Sequence, residues 1–177
     1  DPVLATTVAE AGARYGDRIA VRTSEGAELG YRDLDRASDE AAVGLAALGI
    51  TRGSLVILSL PSGLDYLVAY VAAAKLGAAT GGINPRLSAS ERGDLASAAA
   101  PDLVLAAPGL AEGLPNHLHV ESVDPGSGPP LAGLRSSSEA PPPVVLDPDE
   151  PVCLCFTSGT TGRPAVHDVD RGTGGQL

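Results

Sequence analysis

Residues 55–60, LVILSL, form an almost unbroken apolar run, and this run limits the folds open to the chain more than any other feature. A strand with one wet face alternates apolar and polar side chains. A run apolar on both sides predicts a strand buried on both faces, as in a parallel sheet covered by helices. The residues that follow fit that reading. Pro61, Ser62 and Gly63 break the run, and helical spacing continues from about Asp65 to Leu76, where Gly77 closes it. A short Ala/Thr/Gly/Ile segment then leads to Asn84-Pro85. Ser88 and Glu91 have the spacing of a capping box and open a helix that runs to about Ala99, and Asp102 to Ala106 reads as a further strand. Strands alternating with helices imply an α/β fold with a mostly parallel sheet and right-handed crossovers.

Upstream, Thr7 and Glu10 have capping-box spacing, with Val8, Ala11 and Tyr15 following at helical intervals. Ile19 to Val21, the turn at Glu25-Gly26 and Leu29 to Tyr31 read as a hairpin. Leu34, Ala37, Ala41, Leu45 and Leu48 mark one face of a long helix, with Gly49 where a C-terminal cap belongs. The chain has one Phe, no Trp and no Met, so its core must be built from Ala, Val, Leu and Ile.

The formal net charge is −10 and no cluster of basic residues interrupts it, which argues against nucleic acid as a partner. No apolar run reaches the length of a membrane span, and no leader pattern opens the chain, so a cytoplasmic location is expected. Cys153 and Cys155 alternate with Leu154 and Phe156, so in a strand both sulfurs face one side. His117 and His119 alternate in the same way. A Cys2His2 zinc site is conceivable, but C-x-C and H-x-H are not the usual structural zinc spacings, and ordinary buried thiols with surface histidines are the favoured reading. No metal site is assigned. Lys75, the only lysine, ends an Ala-rich helix and is expected to favour the helix dipole while reaching solvent.

From Val123 to Pro151 the composition turns to Pro, Gly, Ser and acidic residues without periodicity, which predicts a surface linker. Val152 to Thr157 then reads as a strand feeding straight into Thr157-Ser158-Gly159-Thr160-Thr161-Gly162-Arg163-Pro164. Four hydroxyl side chains and two glycines fill six consecutive positions there. Glycine permits close backbone approach, so successive N–H groups can converge on an anion, and hydroxyls add donors for phosphate oxygens. The segment is not a Walker A loop, because no G-K-[ST] follows. Its chemistry favours a phosphate loop over the alternative of a plain flexible turn, and Arg163 is open between a phosphate contact and a solvent-facing turn residue.

The string FTSGTTGRP after a short apolar strand resembles the signature loop of AMP-binding, adenylate-forming enzymes, a superfamily that includes acyl- and aryl-CoA synthetases, peptide-synthetase adenylation domains and luciferases. The resemblance extends to Tyr15–Val21, Tyr31–Leu34, Gly49–Gly53, Leu60-Pro61, Ala74–Ala78 and Asn84–Leu87, covering about Val8 to Pro164. It implies the N-terminal α/β lobe of that fold, incomplete. It also implies a chemistry in which a carboxylate attacks the α-phosphorus of ATP, releasing pyrophosphate, and the acyl-adenylate passes its acyl group to a thiol such as coenzyme A. Thr157, Ser158, Gly159, Thr160, Thr161 and Gly162, with Arg163, would hold the β- and γ-phosphates, and Mg2+ would offset their charge. ATP and a carboxylic acid are the implied ligands.

The resulting division is an N-terminal lobe over 1–122, a linker over 123–151, a strand and loop over 152–164, and an aberrant or truncated tail over 165–177. In the family the loop continues into a Lys; here Ala165 follows Pro164, and His167, Asp168, Asp170 and Arg171 give a polar stretch read as a solvated tail. The family's ribose-binding Asp, magnesium-linked Glu and adenylation Lys would lie further along, so no catalytic residue is assigned in this chain. A sheet ending at Val152–Thr157 would leave that strand as an unpaired edge.

Overall fold

The structure is a computed structural model and describes residues 3–126, 128–136, 140–147, 149–157 and 165–168. The chain opens with helix α1 (Leu4–Tyr15) and the antiparallel hairpin β1 (Ile19–Arg22) and β2 (Glu28–Gly30), followed by the long helix α2 (Tyr31–Ala47). Then β3 (Leu55–Ser59), α3 (Leu64–Lys75), β4 (Ala79–Gly82), α4 (Ala89–Ala99) and β5 (Leu103–Ala106) alternate. A single 3-10 turn (Pro108–Leu110) precedes β6 (Val120–Ser122), and β7 (Cys153–Thr157) and β8 (Ala165–Asp168) complete the order. The main sheet runs β6-β5-β3-β4-β7-β8. Its first five strands are mutually parallel, and β8 alone is antiparallel to its neighbour.

β3 is central, and the two-sided burial expected of it is realised by alternation. Val56 and Leu58 join the cluster under α2 and α3 with Leu45, Val68, Leu103 and Leu105. Ile57 points the other way, into a smaller cluster with Val104, Ala106 and Leu95 of α4. α2 is approached closely at Gly44: a Cβ there would fall 1.7 Å from the carbonyl oxygen of Leu134, in the chain that packs over the helix.

Both long helices stop in the same way. At the end of α2, Gly49 takes φ +90° and its N–H reaches Ala46 O at 3.0 Å, while Ile50 N–H reaches Leu45 O at 3.1 Å. At the end of α3, Gly77 takes φ +68° and its N–H reaches Ala74 O at 3.1 Å, while Ala78 N–H reaches Ala73 O at 3.0 Å. These are paired Schellman closures, with Ile50 and Ala78 buried just beyond.

The capping box of α4 forms as expected: Ser88 Oγ accepts from Glu91 N–H at 3.3 Å, and Ser88 N–H donates to Glu91 Oε2 at 2.8 Å. The Ser88 hydroxyl, then its backbone N–H, hold the Glu91 carboxyl below its ordinary value. A lowered carboxyl pKa stabilises the fold above the unfolded value, and that stabilisation is lost as pH falls through the folded value. Ser88→Ala should therefore lower the melting temperature at neutral pH, with the gap from the parent narrowing in acid. Melting curves from pH 7 downward check this, and a gap that widens in acid would contradict it.

Elsewhere the structure departs from the sequence reading. α1 begins at Leu4, so Thr7 lies inside it and donates its hydroxyl to Val3 O at 3.0 Å instead of capping. Ala79–Gly82, given no element from sequence, is an interior strand. Segment 123–151 has no helix or strand among its described residues, yet it is docked. Val123 and Leu131 are buried, Leu131 N–H donates to Asp65 Oδ1 at 2.8 Å, and Arg135 pairs with Glu40 of α2 at 2.7 Å. β7 is not an edge. It pairs with β4 on one side and, through residues 154–157, with 165–168 of β8 on the other, so the first four residues of the expected tail belong to the sheet.

Lys75 does not reach solvent. Its side chain is 8% exposed, and Nζ donates to Asp35 Oδ1 at 2.7 Å, Asp35 O at 2.9 Å and Asp39 Oδ1 at 2.6 Å. Two carboxylates one helical turn apart on α2 (residues 35 and 39) draw the ammonium across the α2–α3 contact, which outweighs its pull toward water.

Candidate functional site

β7 delivers the hydroxyl-rich loop, and it is fixed at its entry by two separate contacts. Thr80 N–H of β4 donates to Val152 O at 3.1 Å, and the Thr80 hydroxyl reaches the same oxygen at 3.4 Å. Arg52, in the turn between α2 and β3, grips Glu150 with Nε at 2.8 and 3.1 Å from the two carboxylate oxygens and Nη2 at 2.6 Å, with Asp147 at 3.9 Å. These residues sit at the amino edge of the parallel strands. The strand then runs in register with β4 through Thr80–Cys153 and Gly81–Leu154.

The packing beside β7 depends on glycine. A Cβ on Gly81 would stand 2.7 Å from Ile57 Cδ1 and 3.4 Å from Phe156, so a side chain there would have to push the Ile57 tip aside for β4 to keep its place between β3 and β7. A Cβ on Gly82 would stand 2.3 Å from the Tyr66 hydroxyl, which fills the opposite face. Leu154 and Phe156 therefore face the Ile57 side, and Cys153 and Cys155 face Tyr66 of α3. Burial, then Cys155, pushes the half-buried Cys153 thiol up; Cys155 is exposed. Tyr66 is pushed up by burial and then by Cys153, Tyr70 and Cys155.

Thr157 ends β7 at the carboxyl edge of the sheet, opposite Ala165. This is the edge at which open α/β sheets bind ligands, and the N-termini of α3 and α4 face it. Ser158, Gly159, Thr160, Thr161, Gly162 and Arg163 lie outside the described residues. Lys75, at the C-terminus of α3, lies at the opposite edge. His119 precedes β6 and touches Glu121 at 3.1 Å. Three strands separate β6 from β7, about 19 Å at 4.8 Å per step. The histidines and cysteines therefore do not meet, and the conceivable Cys2His2 site does not form.

Sequence reading missed Arg52, Glu150, Gly81, Gly82 and Tyr66. The only local trace was Arg52 in a glycine-bounded turn, Gly49 to Gly53, with nothing to name its partner 98 residues on.

A parallel sheet whose strand after the linker feeds a Ser/Thr/Gly loop at the carboxyl edge is the arrangement of an adenylate-forming N-terminal lobe. Residues 8–166 match the family of AMP-binding enzymes, and the chain belongs to that family. Among curated relatives it is similar to the salicyl-AMP ligase / salicyl-S-ArCP synthetase of Mycobacterium tuberculosis (strain ATCC 25618 / H37Rv), 35% identical over 92% of this chain and 32% of that protein. It is also similar to 4-coumarate–CoA ligase 5 of Oryza sativa subsp. japonica, 32% identical over 78% of this chain and 27% of that protein. Among solved structures, a Mycobacterium tuberculosis fatty acyl CoA synthetase superposes with a TM-score of 0.77 at 25% identity, covering 94% of this chain and 34% of that one. The N-terminal subdomain of Klebsiella oxytoca NpsA superposes at 0.82 and 21% identity, covering 95% and 42%, a likeness of fold. The chain thus spans about a third or less of the length of these two curated relatives. The likeness in fold is to an N-terminal subdomain. Among the described residues no helix is long and apolar enough to cross a membrane.

Proposed function

We propose that this chain is the N-terminal part of an ATP-dependent acid–CoA ligase, and that Thr157 to Gly162 with Arg163 hold the β- and γ-phosphates of ATP. The observation that carries the reading is the family match through residue 166 joined to the position of β7, which brings Thr157 to the carboxyl edge. The donor set of the loop is hydroxyls, backbone N–H groups and one guanidinium, which suits an anion and not a bare cation. Mg2+ would ride on the phosphates and offset their charge. Holding and neutralising the leaving pyrophosphate is the help that phosphorus chemistry most needs from a protein. A carboxylic acid is the proposed co-substrate, and coenzyme A the proposed acyl acceptor. The name of one relative, a salicyl-S-ArCP synthetase, favours a second reading in which the acceptor is a carrier protein.

The residues assigned here bind phosphate but perform no proton or acyl transfer. This chain alone is therefore expected to show no acid-dependent exchange between ATP and pyrophosphate. Exchange clearly above blank with a panel of fatty and aromatic acids would overturn that division of labour. Binding should persist weakly: magnesium-dependent affinity for ATP in the millimolar range, about −4 kcal/mol. Thr160→Ala with Thr161→Ala should weaken it about five- to tenfold, the lower end of what two ordinary hydrogen bonds contribute at about 0.5–1.5 kcal/mol each. An unchanged calorimetric titration of the double variant would mean that the loop does not hold phosphate.

A further inference from the structure

The thiols of Cys153 and Cys155 lie on one face of β7, two residues before the loop, and the proposed phosphate site makes no use of them. Both are free. Cys153 Sγ is turned along the strand, 3.7 Å from Leu154 O. Extending the β4–β7 register one step puts Gly82 opposite Cys155. Because Gly82 has no side chain, the Tyr66 hydroxyl lies against its backbone, on the face of the sheet that carries the thiols. Two sulfurs and a phenol oxygen thus share one face of the sheet at neighbouring strand positions.

We propose that Cys153 and Cys155, with Tyr66 as a weaker third donor, form a binding site for one thiophilic divalent cation of the zinc class. Geometry selects this over a disulfide. Residues i and i+2 of a strand are about 6.6 Å apart, with parallel Cβ vectors. A disulfide needs Cβ atoms about 3.8 Å apart, so forming one would buckle β7. Two metal–sulfur bonds of about 2.3 Å at a tetrahedral angle place the sulfurs about 3.8 Å apart, which each Cβ–S bond meets by leaning inward about 1.4 Å. The strand stays straight. Softness points the same way, since thiolates select zinc-like ions over magnesium or calcium. Among the described residues no cluster of three or more His, Cys, Asp or Glu competes for such an ion.

The test is titration of the reduced 177-residue chain with Cd2+, a spectroscopic stand-in for zinc, followed by Zn2+ competition against a chromophoric chelator. The expected result is a thiolate-to-cadmium absorption band that saturates at one ion per chain. Cys153→Ser and Cys155→Ser should each lower affinity by more than about 100-fold, beyond the 10–100-fold cost of losing an outer-shell partner. Tyr66→Phe should lower it a few-fold, and His117→Ala with His119→Ala should leave it unchanged. Alkylation of the parent chain, mapped by mass spectrometry, should show both thiols protected by the bound ion, a readout that needs no variant to fold. No band, a band that survives either serine substitution, or saturation at half an ion per chain, meaning an ion shared between two molecules, would overturn the site.

Discussion

Gly44→Ala is expected to destabilise the protein by about 3 kcal/mol, against the usual sign for such a change in mid-helix. Alanine is favoured over glycine there by about 1 kcal/mol. The new Cβ, however, would stand 1.7 Å from Leu134 O and 2.8 Å from its carbonyl carbon, both backbone atoms that cannot turn aside as a side-chain tip would. Segment 128–136 must then lift from α2 and α3. Lifting it exposes Leu131, whose burial contributes about 1.5–3 kcal/mol. It also breaks the Arg135–Glu40 pair and the bonds Ser136 N–H to Glu40 O and Leu131 N–H to Asp65, at about 0.5–1.5 kcal/mol per hydrogen bond. Against these losses the helix gain is the smaller term. For a domain of this size the melting temperature should fall by about 6–12 °C. Hydrogen exchange should show the amides of Leu131 and Ser136 losing protection before those of β3. A variant at least as stable as the parent would mean that 128–136 does not rest on Gly44.

Lys75→Ala should cost about 2–3 kcal/mol. Removing one partner of a buried ion pair costs about 3–5 kcal/mol because the other charge is stranded. Here Asp35 and Asp39 keep side-chain exposures of 26% and 41%, so water recovers part of that loss. Lys75→Met retains the packing of the aliphatic stem and should be milder, which separates packing from charge. Adding Asp35→Asn to Lys75→Met should cost less than the sum of the single changes, since each removes the same contact. Melting of the parent and the four variants, Asp35→Asn alone included, checks this. A Lys75→Ala midpoint within about 1 °C of the parent would show that the ammonium contributes nothing net.

Both effects rest on contacts between elements, and this is where the sequence was least legible. Thr7 and Glu10 satisfied the capping-box spacing, as did Ser88 and Glu91, but only the second pair caps. Residues upstream of Thr7 can themselves be helical, and docking of α1 on α2 and α3 lets the helix start at Leu4. The edge expected at β7 was wrong because nothing in the spacing of 165–168 announced a return strand.

For the candidate site, the strand, its direction and its delivery of Thr157 were readable, while Ser158 to Arg163 remain outside the described residues.

What the sequence determined is what a few neighbouring residues settle among themselves. LVILSL has no polar face to offer water, so β3 had to be central. Gly49 and Gly77 end their helices because a left-handed residue is needed at that point in the backbone. TSGTTG carries its donors whatever surrounds it. Tertiary structure decided the rest. Ala79–Gly82 has poor strand propensity, yet it is an interior strand because Ile57 and Tyr66 occupy the space where its missing side chains would stand. Lys75 is buried because α2 crosses α3 where Asp35 and Asp39 project. Arg52 holds the entry to β7 because the strand order sets it beside Glu150. Spacing along a chain records which residues share a face of one element; it does not record which face of another element will meet it.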